Sequence, residues 1–302
     1  MPLLQRTGGM GAKGFGLTSV NTFSFIATIS SNTTSYNLAT AATAAGWNGI
    51  APIIASVTIN SGVVVSGTGN GTSSAFVING LPIKSIITIN NSGTVTGSGG
   101  SAGSKTSNSS AESYPGNYTG SFVTPNYANG FDGTGYPTGY GAGGSTPGYN
   151  TFSGGTTSSA GSGTAGTNAI YLASNVTLII NNSSTGLMVG GGGGAGGQAG
   201  NNAGGGAGAN GGYLIEETGS HPAVIAYNTS GGVLASGGGG SGGWGNRYEG
   251  DGIGGRPGYA AKYTMPTGGN YGGSGSSPGL ATNNTGSTLV NTTGTFTLSP
   301  AV

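Results

Sequence analysis

The run VTLIINNSSTGLMVGGGGGAGG, residues 176–197, contains the four parts from which most of the chain is built. An apolar β-rich segment comes first, a polar turn of Asn, Ser, Thr and Gly follows, a short apolar strand comes next, and the run ends in glycine. Asparagine and glycine tolerate positive φ, which accounts for the turn. The same order recurs at 56–69, 86–103 and 223–243, with Asn90 at the place in its repeat that Asn60 has in the one before. Self-similarity of this kind predicts a stacked or solenoid-like β architecture.

The glycine tract from Gly190 to Gly212 has a period of three. The side chains lie mainly in one register, which reads Gly192, Ala195, Gln198, Asn201, Gly204, Ala207 and Asn210. Three residues per turn is the repeat of the polyproline-II helix, which has no internal hydrogen bonds, so its backbone needs partners in other strands or in water. We expect packed polyglycine-II strands that touch through glycine faces, with Gln198, Asn201 and Asn210 pointing outward. A flexible linker is the alternative.

This packed arrangement makes a prediction about mutations. Valine at Gly194 or Gly197 should be tolerated much less than at Asn201 or Asn210, because a branched Cβ would separate strands that touch through glycine.

The composition restricts the class of protein. Glycine accounts for 70 of 302 residues and charged residues for 4%, against about 7% and about 25% in average proteins. With 34% hydrophobic residues and a net charge of +1, the chain lacks the low hydrophobicity and high charge of disordered segments. The strict Gly-X-Y repeat of collagen is missing.

Charge and hydropathy exclude several partners. Seven Lys and Arg residues are balanced by six acidic residues, so we expect no strong electrostatic attraction to a nucleic-acid backbone or an anionic membrane. No stretch approaches the roughly 18 apolar residues of a membrane span. The absence of cysteine excludes disulfides and thiolate metal sites, and the opening run MPLLQRTGGMGAKGFG shows no signal-peptide pattern.

The N-terminal part predicts one strand and one helix. Residues 1–20 read as a glycine-rich arm carrying Arg6 and Lys13. Phe23, Phe25 and Ala27 alternate with polar neighbours in a half-buried strand over 21–28. A short helix is expected from Tyr36 to Ala45, with its N-cap at Thr34-Ser35 and its stop at Gly46, followed by a core Trp47.

Long glycine-rich excursions separate the later repeats, over about 97–169, 190–212 and 236–285. Tyrosine among Gly, Ser and Asn is typical of binding loops, because tyrosine supplies rigid contact area at low entropic cost. The alternative is that these rings only cover the ends of the stacked β structure. The candidate receptor-binding residues are Tyr114, Tyr118, Tyr127, Tyr136, Tyr140, Tyr149, Trp244, Tyr248 and Tyr259.

Catalysis has little support. The one histidine, His221, precedes a proline in a turn. Glu216 and Glu217 are adjacent on a predicted strand and therefore point to opposite faces. Matches to GxGxxG are expected by chance in such a sequence. We expect no enzyme, no cofactor and no metal.

The segment SYNLATAATAAGWNGIAPIIASVTINSGVVVSG and its continuation to residue 103 resemble a module of bacteriophage tail proteins. In that module a YNL…AGW helix precedes VTI-type strands that run into glycine tracts. The tracts resemble those of glycine-rich phage receptor-recognition adhesins, in which polyglycine-II helices pack together and display variable loops. The Tyr- and Pro-rich first excursion departs from that pattern, so no binding residue is transferred.

We therefore predict a mainly β protein, with a small N-terminal helix-plus-strand module followed by stacked strands and packed polyglycine-II strands. The expected divisions are an attachment arm (1–20), a β module (21–103), a Tyr/Gly-rich excursion (104–169) and a glycine-rich domain (170–302). The resemblance implies a virion protein of the phage tail tip or tail fibre that binds a host-surface protein or glycan. It also implies an oligomer or larger assembly, with other tail proteins held through the arm. A purely structural spacer is the main alternative, and an ice-binding protein is a more distant one.

Overall fold

A computed structural model describes residues 22–68, 73–101, 103, 161–194, 207–218, 224–229, 232–238, 252–253, 262–263, 282–283 and 288–293. The elements are, in order, β1 (Phe23–Ile29), β2 (Thr33–Thr34), β3 (Tyr36–Asn37), α1 (Leu38–Ala44), β4 (Ile53–Ile59), β5 (Val64–Ser66), β6 (Phe76–Asn79), β7 (Ile86–Asn91), β8 (Thr94–Thr96), β9 (Ile170–Ala173), β10 (Thr177–Asn182), β11 (Leu187–Val189), β12 (Ile215–Glu217), β13 (Val224–Thr229), β14 (Val233–Ala235), β15 (Gly252–Ile253), β16 (Lys262–Tyr263), β17 (Thr282–Asn283) and β18 (Thr288–Thr293).

The strands form a parallel β-solenoid with three walls. Sheet A has the order β1-β4-β7-β10-β13-β18, sheet B β14-β11-β8-β5-β2, and sheet C β17-β12-β9-β6-β3. Each turn of the chain passes through A, then B, then C, so the strands of these sheets pair in parallel with their counterparts in neighbouring turns. Strands β15 and β16 lie outside the three sheets and pair antiparallel with each other. The predicted stack of strands is confirmed. The two strands of each sequence repeat belong to different sheets and do not pair with each other.

Side chains that alternate along the strands of sheets A and C build most of the core. In sheet A, Ala55 pairs with Ile87 and Ile87 with Leu178, so inward residues stack in rows along the solenoid. Buried apolar side chains from all three sheets form one large cluster, and Leu187, Val189 and Ala235 of sheet B form a second, smaller one. The predicted first strand follows this rule, because Phe25 is buried while its neighbour Ile26 is 80% exposed.

Asparagines form a hydrogen-bonded ladder at the end of sheet A. Asn91 and Asn182 are buried, and the Asn91 amide donates to Asn182 Oδ1 at 2.8 Å. Asn182 Nδ2 in turn donates to the carbonyls of Gly186 and Val233 at 3.0 and 3.2 Å. A buried amide that makes these bonds satisfies the turn backbone between sheets A and B, where no regular ladder continues.

The helix begins later than the sequence predicts. It spans Leu38–Ala44, and its N-cap is Asn37, whose side chain accepts the N–H of Thr40 at 3.0 Å. The predicted start at Tyr36 and the predicted N-cap at Thr34-Ser35 are wrong, because Tyr36 and Asn37 pair with sheet C as β3. The stop at Gly46, with φ +99, and the burial of Trp47 are confirmed.

The interval between turns is also not constant. Phe23 pairs with Ile53, but Ile54 pairs with Ile86, so the step from β4 to β7 is longer than the step from β1 to β4. Asn90 therefore lies beside Thr58 and not beside Asn60. The spacing of these two asparagines along the sequence is not the structural repeat.

Candidate functional site

Three long glycine-rich excursions leave the solenoid at one corner. They follow β8, β11 and β14 of sheet B and precede β9, β12 and β17 of sheet C. Because consecutive turns stack directly on each other, insertions at the same corner emerge side by side. The corner is therefore where the chain departs from the regular solenoid.

Near this corner the described glycine segments are joined by backbone hydrogen bonds that recur at every third residue. Gly191 and Gly194 donate to the carbonyls of Thr167 and Thr164 at 2.7 and 2.9 Å. The same spacing joins other segments, through Gly97→Val189, Gly100→Gly192, Thr164→Ser101, Thr167→Ser98, Gly163→Ala207, Gly166→Asn210, Gly190→Ala235 and Gly193→Gly238. We call segments 97–101, 161–167, 190–194, 207–212 and 236–238 the glycine bundle.

The directions of these segments alternate. Gly191 pairs with Gly212 and Gly194 with Ala209, so segment 207–212 runs antiparallel to segment 190–194. Thr164 and Thr167 donate to Ser101 and Ser98, which makes 161–167 antiparallel to 97–101 in the same way. Each of the first two excursions thus leaves the solenoid along one strand and returns along another.

The strands of the bundle approach too closely for side chains on their contact faces. A Cβ built at Gly194 would overlap the carbonyl oxygen of Ser101, and one at Gly190 would overlap that of Gly212. Asn210, in the predicted decorated register, is exposed, as expected. Gln198 and Asn201 lie outside the described residues.

A polar groove runs along the outer face of sheet C. One register row crosses four turns here, because Asn37 pairs with Val77, Val77 with Tyr171, and Tyr171 with Glu216. Together with Asn168, Tyr213 and neighbouring Ser, Thr and Gly residues, this row lines a cavity of about 600 Å³. We call it the sheet C groove.

Hydrogen bonds fix the side chains at one end of this groove. The Tyr213 N–H donates to Asn168 Oδ1 at 2.8 Å, and Asn168 Nδ2 donates to Glu216 Oε2 at 2.5 Å. Since a backbone N–H can only donate, the first bond sets which side of the amide faces Glu216. The hydroxyls of Thr218 and Tyr171 are hydrogen-bonded at 2.9 Å.

The two glutamates lie on opposite faces, as predicted. Burial raises the pKa of the Glu216 carboxyl above its ordinary value of 4.5, because desolvation penalises its charged form. Glu217 points into the core, is 3% exposed, and has no hydrogen-bond partner for either carboxylate oxygen. A carboxylate pair acting on one substrate is therefore excluded at these positions.

The nine predicted receptor-binding aromatic residues, from Tyr114 to Tyr259, all lie outside the described residues, as does His221. No pattern in the sequence predicts the sheet C groove. Its residues come from four turns whose spacing is irregular, and neither Asn168 nor Tyr213 belongs to a strand. The doublet of Glu216 and Glu217 is the one visible signal, and by itself it predicts only that the two side chains face opposite ways.

Within the described ranges, no helix is long and apolar enough to cross a membrane. The same residues contain no group of three or more His, Cys, Asp or Glu side chains that could hold a metal ion.

Comparison with known proteins relates the N-terminal part of the solenoid to a described family. Residues 24–121 match the family model described as the phage tail fibre adhesin Gp38. No curated protein and no solved structure gives a match. Over this segment the chain is similar to the phage tail fibre adhesins, a family of structural proteins located in the virion tail.

Proposed function

We propose that this protein binds a receptor on the host surface, because its residues 24–121 match the family model of a phage tail fibre adhesin. The matched segment covers the first turns of the solenoid and the start of the first glycine excursion. The observation that carries the proposal is this match, because adhesion is the family's general role.

The glycine bundle supports the proposal as a scaffold. We infer that its segments are polyglycine-II helices, since their inter-strand hydrogen bonds recur every third residue. A bundle held mainly by backbone bonds has a uniform surface of small groups. Recognition therefore has to come from residues that the bundle carries.

We propose that segments 114–152 and 244–271 provide that recognition. Support comes from the two segments that flank the first of them. Segment 97–101 leads away from the solenoid, and segment 161–167 returns to the solenoid antiparallel to segment 97–101. The first segment lies between these two strands in sequence, and it carries six of the predicted receptor-binding tyrosines. Tyrosine and tryptophan are the residue types most enriched among binding hot spots.

Host adsorption tests this proposal. Replacing Tyr118, Tyr127, Tyr136, Tyr140 and Trp244 together by alanine should leave the melting temperature unchanged. A hot-spot residue contributes at least about 2 kcal/mol, so adsorption should fall by roughly 30-fold or more. The matched control is Asn210→Ala, an exposed bundle position. Unchanged adsorption of the five-residue variant would identify the protein as a structural spacer.

We also propose that residues 1–20 attach the protein to other components of the tail. The arm carries two cations and repeated glycine, and its composition provides no core of its own. A variant lacking residues 1–20 should fold, with a circular dichroism spectrum like that of the full chain, yet be missing from purified phage particles. Normal incorporation would contradict the assignment.

A further inference from the structure

The sheet C groove has the shape of a site for an extended ligand. Its central row, Asn37, Val77, Tyr171 and Glu216, crosses four strands of one parallel sheet. Strands lie about 4.8 Å apart, so the row is about 14 Å long. Ligand pockets commonly have volumes of about 300–1,000 Å³, and the groove encloses about 600 Å³.

The chemistry of the groove favours hydroxyl groups as partners. Its described lining consists of neutral amide and hydroxyl side chains, two tyrosines, one carboxylate, one valine and one glycine, and it includes no Lys, Arg or His. A phosphate or carboxylate ligand would meet Glu216 without a compensating cation. Hydroxyl groups can donate to that carboxylate in charge-assisted hydrogen bonds, which are about twice as strong as neutral ones.

Hydrogen bonds within the protein orient the Asn168 amide and the Glu216 carboxylate in the groove. Tyr213 N–H holds Asn168, and Asn168 holds Glu216 Oε2, so the carboxylate is oriented before a ligand arrives. Glu216 Oε1 has no hydrogen-bond partner among the described residues, and it is available as an acceptor. Preorganised groups lose less conformational entropy on binding, which favours affinity.

The aromatic rings supply the apolar part of such a site. Tyr171 and Tyr213 line the same groove, and both are half-buried. Each ring combines a rigid apolar face with a hydroxyl group at its edge. A pyranose has the matching character, with C–H groups on its faces and hydroxyls around its rim.

We propose that the sheet C groove binds a neutral saccharide of two or more sugar units, with Glu216 and Asn168 bonding its hydroxyls and Tyr171 and Tyr213 contacting its rings. None of the described lining residues belongs to segments 114–152 and 244–271, and the proposal does not depend on receptor binding by the aromatic residues of those segments.

Saturation-transfer NMR on the full chain tests the proposal, with maltose, cellobiose and lactose as probes. At least one of the three should receive saturation, and sialyllactose, which carries a carboxylate, should receive much less. Glu216→Ala and Tyr213→Ala should each reduce the signal at least tenfold. Absence of transfer to all three disaccharides, or an equal signal from sialyllactose, would overturn the proposal.

Two further variants separate binding from folding. Val77→Trp fills the groove from the middle of the row without removing a polar group, and it should abolish the signal at an unchanged melting temperature. The variant lacking the five loop rings should keep the full signal, which distinguishes this site from the proposed receptor loops. A saccharide signal that survives Val77→Trp, or that disappears with the loop rings, would place binding elsewhere and refute the assignment to the groove.

Discussion

The solenoid walls and the glycine bundle are both held by hydrogen bonds between neighbouring segments, but they treat side chains in opposite ways. In sheet A, alternate residues such as Leu178 and Ile180 point inward and are fully buried. In the bundle, donors recur every third residue, and a Cβ at Gly194 would overlap the backbone of the adjacent segment. One region is stabilised by buried apolar side chains, and the other requires that its contact positions have none.

This difference explains how one chain tolerates so much glycine. Each ordered glycine costs roughly 0.5–1 kcal/mol relative to alanine in a regular element. The bundle offsets that cost by bringing backbones close enough to bond to several neighbours at once. Segment 190–194, for example, bonds to segments 97–101, 161–167, 207–212 and 236–238. Adding a methyl group should therefore damage the bundle, whereas removing one should damage the solenoid.

The largest effect is expected from Gly194→Ala. The new Cβ would overlap the Ser101 carbonyl, and relief would require breaking the bonds that Gly194 makes with Thr164 and Ala209. We expect a loss of about 4 kcal/mol or more in the free energy of unfolding, because backbone cannot move aside as a flexible side chain can. Thermal and denaturant unfolding measure it.

Asn210→Ala is the matched control for that change. Asn210 lies in the same bundle and is exposed, so its replacement should shift the unfolding free energy by no more than roughly 0.5 kcal/mol. Equal stability of the two variants would mean that the strands do not pack through glycine faces.

The opposite behaviour is expected in the solenoid at Ile180→Ala. Ile180 is fully buried between Ile89 and the next turn, so the truncation should cost about 2–5 kcal/mol through lost burial and a cavity. Its neighbour Ile179 points outward and is half-buried, so Ile179→Ala should cost clearly less. If the two truncations proved equivalent in chemical denaturation, the inward and outward faces of β10 would be wrongly assigned.

Asparagine ladders give a smaller effect at the boundary between sheets A and B. Asn182→Ala would leave the Gly186 and Val233 carbonyls without their side-chain donor in a buried site. The Gly186 carbonyl still accepts the Val233 N–H, so we expect a loss of about 1–3 kcal/mol, the cost of one unsatisfied buried group. Asn181 makes one part-buried bond, to Asn90, so Asn181→Ala should be milder. Hydrogen exchange at the turn would locate the loss, and uniform protection in both variants would contradict it.

The sequence predicts the recurring unit of two consecutive strands, the first strand, the end of the helix and the burial of Trp47, because each depends on local patterns within a few neighbouring residues. It does not predict the three walls, since the long excursions hide the interval between Asn91 and Asn182, which stack in space. The predicted helix start is wrong because Asn37 both ends a short strand and caps the helix. The groove could not be predicted either, because its row joins residues from four separate turns.

The smallest effect concerns Glu216, at the junction of the two regions, where Asn168 leads from the bundle into β9. Burial raises the pKa of this carboxyl above 4.5 in the folded protein, so the folded state binds its proton more tightly than the unfolded chain does. Stability from this group is complete below about pH 4.5 and is lost as the pH rises through the higher folded pKa.

Glu216→Gln removes the titration while keeping an oxygen that can accept from Asn168. The melting temperatures of the two proteins should therefore differ by a constant amount at low pH. As the pH rises, the melting temperature of the wild type should fall relative to that of the variant, until the difference becomes constant again. Melting curves taken at intervals from about pH 3 to about pH 8 follow this difference. A difference that stays constant over the whole range would show that the hydrogen bond from Asn168 offsets the penalty of burial, and a wild type that gains stability relative to the variant with rising pH would show that it outweighs that penalty. The carboxylate would then be held at the junction by its hydrogen bond to Asn168, and its desolvation would be secondary.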